Sequence, residues 1–215
     1  MMSAYQKIIL DANVQNPENF CRKIDILHNF LYEYNQNVNL TRITEYEDYI
    51  VKHICDSLLL GVAFKELTAK SLSLCDIGCG AGFPSLVLAC AYPEWKITAV
   101  DSIGKKTTFV CLAAEKLELA NIEVITGRTN ELNRKKEWHN RFDIVTARAV
   151  ATAKTVYTDA KNFPKQSGRF ILYKTPDQLQ EDLPEIKKCA SHKSWKVTPV
   201  FELPSDAGSR QFLYY

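Results

Sequence analysis

The stretch Leu74–Ala89, LCDIGCGAGFPSLVLA, constrains the fold of this chain more than any other. It passes from one apolar segment to another through glycines at alternate positions, Gly78, Gly80 and Gly82. Glycine tolerates the left-handed backbone of a tight turn and lets a ligand approach the main chain closely. The pattern therefore predicts a strand, a ligand-binding loop and a helix in succession, the repeating unit of an α/β protein.

From about Leu72 onward, short apolar runs alternate with helical stretches. The runs read LSLCDIG, WKITAVD, IEVITG, FDIVTAR, RFILYK, KVTPVFEL and RQFLYY. Such alternation favours parallel strands with helices on both faces of the sheet. The last two runs, Lys196–Leu203 and Arg210–Tyr215, are separated by only the six residues PSDAGS, which cannot hold a crossover helix. We therefore expect about seven strands, mostly parallel, with an antiparallel last strand.

Helical patterns occupy the first third of the chain. Asn16 is a potential N-cap, Pro17 suits the first helical position, and apolar residues then recur every three or four positions. In a second helix, Thr44 and Glu47 stand at capping-box spacing, and Gly61 is a natural residue just past a helix end.

These patterns divide the chain in two. We predict an N-terminal helical segment, residues 1–66, packed on an α/β domain of residues 67–215. Within that domain, Pro184 should bend or shorten the helix predicted over PDQLQEDLPEIKKCA.

The composition fits a folded cytoplasmic protein. Of the 215 residues, 46% are hydrophobic and 24% charged, and the net charge of +2 does not by itself indicate a nucleic-acid partner. The seven cysteines form no C-x-x-C pair, and even Cys75 and Cys79 are expected to pack in the core as reduced residues rather than bind metal. No signal peptide or membrane span is recognised, so we expect a cytoplasmic protein. We also expect no bound metal and favour a monomer.

The glycine loop leaves several ligands to distinguish. A phosphate-binding Walker loop is excluded because no Gly-Lys-Ser/Thr follows. A dinucleotide loop is disfavoured because Phe83 stands where G-x-G-x-x-G counted from Gly78 needs glycine, although GAGFPS fits a permissive G-x-G-x-x-S. The acidic-led pattern D-x-G-x-G-x-G from Asp76 is typical of S-adenosylmethionine sites, where a carboxylate suits the ligand's ammonium group. A turn that only reverses the chain is the remaining alternative.

Polar residues follow the next two strands. Asp101 ends WKITAVD, where an acidic side chain accepts hydrogen bonds from a ribose diol in dinucleotide and S-adenosylmethionine sites alike. An N-cap role is the structural alternative for Asp101. Thr129 and Asn130, in TGRTNEL, stand where an adenine edge would be read.

The chain resembles the bacterial RsmG (GidB) family of 16S ribosomal RNA guanine-N7 methyltransferases. The matching segments are NVNLTRIT, KHICDSL, DIGCGAGFPS, DSIGKK, GRTNE, FDIVTARAVA, FILYK and GSRQFLYY. The resemblance implies a class I methyltransferase fold with N-terminal helices, S-adenosylmethionine as methyl donor, and 16S ribosomal RNA or the small ribosomal subunit as substrate. It also implies cofactor contacts at Gly78, Phe83, Thr129, Asn130 and Arg148. Departures occur at Ser85, Val87 and Thr175, where the family usually has other residues.

Absent motifs agree with methylation at guanine N7. TARAVA occupies the place of the (N/D)-P-P-(Y/F) element of amino-group methylation, and no Pro-Cys nucleophile for cytosine methylation occurs. Guanine N7 carries an in-plane lone pair and attacks without losing a proton, so positioning and electrostatics suffice and no general base is expected.

Strand-end cations are the candidates for catalysis and RNA contact. Arg148 could hold the methionine carboxylate or an RNA phosphate, with a solvated arginine as the alternative, and Lys174 is a second candidate near the substrate. Candidate substrate-facing positions are Lys52, His53, Asp56, Arg128 and Arg210. His53 and Asp56 are neighbours on one helix face, and a structural hydrogen bond is the equal alternative for these two.

A basic stretch, NRKKEWHNR at 133–141, could grip phosphate with Trp138 stacking on a base, helped by Lys105 and Lys106; a solvated loop is the equal alternative. Two other functions stay open at this point. One is an NAD-dependent oxidoreductase; the other is a non-catalytic S-adenosylmethionine-binding protein of the ribosome.

Overall fold

A computed structural model describes residues 4–215. The helices are α1 Ala4–Asp11, α2 Pro17–Val38, α3 Tyr46–Tyr49, α4 Asp56–Ala63, α5 Lys65–Thr68, α6 Ser85–Ala91, α7 Gly104–Lys116, α8 Thr129–Leu132, α9 Ala153–Ala160 and α10 Pro176–Cys189. The strands are β1 Ser73–Ile77, β2 Lys96–Asp101, β3 Ile122–Thr126, β4 Phe142–Arg148, β5 Pro164–Lys174, β6 Lys196–Val197, β7 Phe201–Glu202 and β8 Ser209–Tyr214. A π-helical turn, Ile50–Cys55, joins α3 to α4 without a break.

The sheet confirms the predicted α/β class. Over the described residues its order is β3-β2-β1-β4-β5-β8-β6, with β7 paired to β8. The strands β1 to β5 are parallel, and β8 runs antiparallel to β5, β6 and β7. Because the parallel strands all end at one edge, the residues that follow β1, β2, β3 and β4 are brought together there.

The final antiparallel pairing is as expected, but one predicted strand is interrupted. The run Lys196–Leu203 divides into β6 and β7, and Pro199 lies between them. Proline has no N–H to give to a strand ladder, which explains the break. Thr198 bridges it, because its N–H donates to the Phe212 carbonyl and its hydroxyl accepts from the Phe212 N–H.

Two apolar cores flank the sheet. One joins α1, α2 and the turn before α4 to α6 and α7, and includes Phe20, Leu27 and Phe109, all fully buried. The other lies under α9 and α10 and includes Phe163 and Phe170. The N-terminal helices therefore share a core with the α/β part, while the boundary between residues 66 and 67 stays a prediction.

The N-terminal helices confirm one predicted cap and correct two others. The Asn16 side chain accepts from the Asn19 N–H at 3.1 Å, ahead of Pro17. The predicted capping box of Thr44 and Glu47 is wrong, since α3 follows Glu45 and makes no side-chain cap within the described chain.

Gly61 is a position of close packing and not of helix termination. It lies inside α4, which continues to Ala63. A Cβ atom at position 61 would lie 1.9 Å from the Tyr92 hydroxyl oxygen, which donates to the Ala12 carbonyl at 2.7 Å. The glycine is thus required by the side chain of Tyr92, which directly follows α6. Local sequence does not reveal this constraint.

The environments of the cysteines are partly as expected. Cys75 and Cys79 are buried, whereas Cys111 and Cys189 are exposed. Between residues 4 and 215 no helix is long and apolar enough to cross a membrane, and no group of three metal-ligating side chains is found. Helix α10 runs through Pro184 to Cys189 without being shortened there.

Candidate functional site

The glycine loop between β1 and α6 has the backbone that its sequence predicts. Gly78, Gly80 and Gly82 have φ values of +66°, +58° and +85°, all in the left-handed region. A Cβ at Gly78 would lie 2.5 Å from a Val150 methyl, and one at Gly82 would lie 2.4 Å from Leu86. A Cβ at Gly80 would meet no heavy atom of the described residues within 4 Å. Gly80 therefore has open space beside it, whereas Gly78 and Gly82 have none for a side chain.

Asp76 lies beneath this loop and braces it. Its Oδ2 accepts hydrogen bonds from the hydroxyl and the backbone N–H of Ser85, the first residue of α6. Asp76 is fully buried, and its Oδ1 has no hydrogen-bond partner within residues 4–215. Burial raises the pKa of this carboxyl to about 7, against the opposing effect of the Ser85 hydrogen bonds. The serine that departs from the family pattern thus holds the loop, while contact of Asp76 with a ligand stays a prediction.

Asp101, at the end of β2, joins the loop to the neighbouring strand. Its Oδ2 accepts from the Gly80 N–H and its Oδ1 from the Ile103 N–H, each at 2.9 Å. A carboxylate oxygen can accept more than one hydrogen bond, so Asp101 retains capacity for hydroxyl donors. It is not the side-chain cap of α7, which begins after Ile103.

A cleft of about 550 Å³ opens at this edge, and we name it the glycine-loop cleft. It contains the predicted residues Gly78, Asp101, Arg128, Thr129 and Asn130. The rest of its wall is Ile77, Ser102, Ile103, Lys106, Gly127, Ala149, Val150, Ala151, Thr155, Val156 and Asp159. Four strand ends therefore contribute to one cavity, as the topology requires.

A second cleft of about 350 Å³ lies beside the first, and we name it the arginine cleft. Its lining residues are Ile43, Lys52, His53, Asp56, Arg148, Ala149, Tyr173, Gln178, Leu203, Ala207 and Arg210. It collects three of the predicted substrate-facing residues, Lys52, His53 and Arg210, together with Arg148.

Ala149 belongs to both clefts. It directly follows β4 and has φ +55°, an uncommon backbone for a residue with a Cβ. On one side of it Arg148 lines the arginine cleft, and on the other Val150 lines the glycine-loop cleft. Ala149 is therefore the point at which the two cavities meet.

Asp56 is the centre of a buried ionic cluster in the arginine cleft. Its side chain is 2% exposed and accepts from Arg148 Nη1 at 2.7 Å and from Arg210 Nε and Nη2 at 2.7 and 2.9 Å. Arg148 Nη1 also donates to the Lys52 carbonyl at 2.8 Å. The cluster thus connects the π-helical turn and the start of α4 with the carboxyl end of β4 and the start of β8.

His53 completes the cluster as a neutral ring. Because arginine only donates, the 3.2 Å contact from Arg148 Nη2 makes His53 Nδ1 the acceptor. The ring proton is then on Nε2, which lies 3.3 Å from the Thr41 hydroxyl. His53 stacks on Phe83 with centroids 4.1 Å apart and rings 2° from parallel. Burial, followed by the Arg148 charge, lowers the pKa of His53 to about 3.

Lys174 lies in a separate ion pair. Its Nζ is 2.6 Å from Asp182 Oδ2 and donates to the Ala151 carbonyl at 2.9 Å. The two side chains are 8% and 6% exposed. Lys174 therefore holds the segment after Ala149 in place, and a direct catalytic role for it stays a prediction.

The predicted stacking role of Trp138 is contradicted by its burial. Trp138 is 5% exposed and packs against Phe142 and Phe163 in the core beneath α9. The apolar residues around it explain why a tryptophan sits inside a basic loop. Lys106 lines the glycine-loop cleft, while the Lys105 ammonium donates to the Val38 carbonyl.

Sequence reasoning missed the partners that organise the site. These partners are Tyr173, next to the end of β5, and Gln178 and Asp182 of α10, and no motif in the sequence marks them. Val150 appeared in the sequence analysis only as part of the segment FDIVTARAVA, and its contact with Gly78 was not predicted. Asp76, Gly80, Gly82 and Phe83 do not line the glycine-loop cleft in this structure; they form the loop beside it.

Comparison with known proteins decides among the candidate functions. Residues 20–206 match the family GidB, described as rRNA small subunit methyltransferase G. The chain belongs to this family. A relative from Ligilactobacillus salivarius with that name is 38% identical over 195 residues, covering 89% of this chain and 80% of the relative. Another from Mycoplasma capricolum subsp. capricolum is 35% identical and covers 98% of this chain and 86% of the relative.

Solved structures agree on the fold. A SAM dependent methyltransferase from Aquifex aeolicus superimposes with a TM-score of 0.57 at 15% identity, covering 79% of this chain and 92% of that one. The ribosomal protein L11 methylase of Lactobacillus delbrueckii subsp. bulgaricus gives a TM-score of 0.55 at 16% identity, covering 76% and 77%. The class I methyltransferase fold and the enzyme class are thereby confirmed, and the oxidoreductase and non-catalytic alternatives are not favoured.

Proposed function

We propose that this methyltransferase binds S-adenosylmethionine in the glycine-loop cleft and methylates N7 of a guanine of 16S ribosomal RNA that enters the arginine cleft. The observation that carries the proposal is the junction at Ala149. It joins a cleft lined by Gly78 and Asp101 to one lined by Arg148 and Arg210. A group-transfer enzyme needs such a junction, since donor and acceptor atoms must meet.

The residues of the glycine-loop cleft suit the proposed donor. Asp101 has spare acceptor capacity for a ribose diol, and the loop beside the cleft leaves the main chain open to close approach at Gly80. Thr129 and Asn130, at the start of α8, offer polar contacts for a base edge. Asp76, buried beneath the loop, supports the donor site by holding Ser85 at the start of α6.

The chain's own contribution to the reaction is positioning. S-adenosylmethionine, when bound, supplies a sulfonium-activated methyl group. Guanine N7 needs no deprotonation, which accords with a site where His53 is neutral and fully engaged by Arg148 and Thr41. The strained turn at Ala149 is held on one side by Arg148 and on the other by Lys174 through the Ala151 carbonyl. Holding that junction fixes the distance and angle of an in-line transfer.

Labelled methyl transfer tests this function. Small ribosomal subunits from a strain lacking the enzyme should accept one methyl group from S-adenosylmethionine. Nuclease digestion and mass spectrometry should then identify 7-methylguanosine. A methyl group found on another base or atom would contradict the guanine-N7 assignment. Calorimetry with S-adenosylhomocysteine and with NADH gives the matching cofactor test, in which only the former should bind.

A further inference from the structure

The arginine cleft carries more positive charge than its own acids balance. Three cations line it, Lys52, Arg148 and Arg210, and Asp56 is the one carboxylate among the described lining residues. Lys52 is paired with Asp48 outside the cleft at 2.8 Å, so the unbalanced charge lies on the two arginines. His53 adds no charge, as its contacts show. The buried cluster of Asp56 with two arginines therefore has a net charge of +1. Buried charge is costly unless a counter-charge completes it.

The two arginines differ in how much of each guanidinium is occupied. Arg148 uses Nη1 twice, for Asp56 and the Lys52 carbonyl, and Nη2 for His53. Arg210 places only its Nε and Nη2 on Asp56. Its Nη1 makes no hydrogen bond to any residue between 4 and 215. The end of the Arg210 fork, formed by Nη1 and the second N–H of Nη2, is thus available.

We propose that Arg210, oriented by Asp56, binds a backbone phosphate of the RNA beside the target guanine. A free guanidinium edge presents two parallel N–H groups, which match two oxygens of a phosphodiester. The side chain is 18% exposed and lines the arginine cleft, so an RNA strand can reach it while Asp56 keeps it from turning away. This inference rests on the proposed function and assigns its substrate-strand contact.

The carboxylate of the methyl donor is the other anion that could reach this edge. Arg210 lines the arginine cleft and is absent from the described wall of the glycine-loop cleft. That placement favours RNA over the donor. The two sources predict opposite results for an Arg210 variant, because one weakens RNA binding and the other weakens donor binding.

Arg210→Gln tests the proposal, with Arg22→Gln on the exposed face of α2 as the matched control. Binding of small ribosomal subunits should weaken about tenfold or more in R210Q, and the slope of log K against log salt should fall by about one. Affinity for S-adenosylhomocysteine, measured by calorimetry, should stay within about twofold of the parent. Arg210→Lys should keep the salt slope yet bind more weakly, since it lacks the fork.

An unchanged salt slope in R210Q would overturn the proposal, because a merely structural role predicts that result. Loss of S-adenosylhomocysteine affinity with normal RNA binding would assign the arginine to the donor instead. Failure of the parent enzyme to methylate small subunits at all would contradict the proposed function, and is seen before any variant is made. R210Q leaves Asp56 paired with Arg148, so a folded variant is expected.

Discussion

Two buried ionic clusters flank the junction at Ala149, and they differ in charge balance. Lys174 and Asp182 form a one-to-one pair, both more than nine-tenths buried, with the ammonium also on the Ala151 carbonyl. Asp56 instead serves two guanidiniums in a cleft, with Arg148 12% and Arg210 18% exposed. The first cluster has no net charge, whereas the second has a net charge of +1 that an anionic ligand can balance.

The two clusters differ in role: the Lys174 pair holds the backbone in place, and the Asp56 cluster is open to a ligand. Arg148 and Lys174, the last residues of β4 and β5, look alike as strand-end cations, and both were candidates for catalysis. In the structure Lys174 is buried and paired with Asp182 of α10, whereas Arg148 and Arg210 line an open cleft. A strand-end cation is therefore informative about function only when its counter-charge is known.

The largest expected effect comes from Asp56→Asn. This change leaves two partly buried guanidiniums facing each other without their carboxylate, and breaking a buried ion pair costs about 3–5 kcal/mol. Urea unfolding should show a loss in that range. Asp48→Asn, which removes the exposed partner of Lys52, is the control and should change stability by less than about 1 kcal/mol. Equal effects of the two changes would mean that the Asp56 cluster contributes no more than a surface pair.

Lys174→Met should destabilise the protein by about 3 kcal/mol, because it leaves Asp182 buried and unpaired. The double change Lys174→Met with Asp182→Leu removes both charges and should recover most of that loss. The free energy of unfolding, again from urea, distinguishes the two variants. If the double variant is as unstable as the single one, packing and not charge pairing explains the contribution of this pair.

Arg148→Ala should lower methyl transfer by about 100-fold or more, the usual cost of removing one preorganised donor from an active site, while the protein folds normally. Asp56 keeps Arg210 as its partner in this variant, so the cluster becomes a neutral pair. Initial rates with small ribosomal subunits measure the effect, and the thermal midpoint checks the fold. Parental turnover in this variant would remove Arg148 from the site.

Much of the fold was predictable because it depends on local patterns. The glycine loop, the strand-end Asp101 and the antiparallel finish all follow from spacing and from the length of connections. The capping box at Thr44 failed, since the chain begins α3 after Glu45. Gly61 was misread because the side chain that requires a glycine, Tyr92, is remote in sequence.

The site was predictable only in part, for a related reason. Residue type and position located Arg148 and Arg210, but their shared counter-ion Asp56 lies 92 and 154 residues away in the chain. Residues so far apart in the chain form no repeating pattern from which their contact could be predicted. Trp138 shows the reverse case, in which a basic neighbourhood conceals an apolar contact with Phe142 and Phe163.

The smallest predicted effect concerns pH and again depends on the Asp56 cluster. His53 is held neutral with a pKa of about 3, whereas an unfolded histidine titrates near 6.5. Below pH 6.5 the unfolded chain binds a proton at this position that the folded protein does not, so stability falls as the pH is lowered. At about 1.4 kcal/mol for each pH unit, the loss between pH 6.5 and 5 is at most about 2 kcal/mol.

His53→Asn should remove that acid dependence. The comparison must be made as a difference from the parent, because Asp76, with a pKa raised to about 7, acts in the opposite direction. The folded protein keeps a proton on Asp76 that the unfolded chain has lost. The destabilisation caused by burying this carboxyl therefore shrinks as the pH falls from 7 toward 4. Both proteins contain Asp76, and its contribution cancels in the difference. His192→Asn, at an exposed position outside the Asp56 cluster, is measured in the same way as the control for loss of a histidine. A variant at position 53 that keeps the parental slope would mean that the ring takes up a proton inside the cluster, and that the Asp56 site tolerates still more positive charge than its geometry implies.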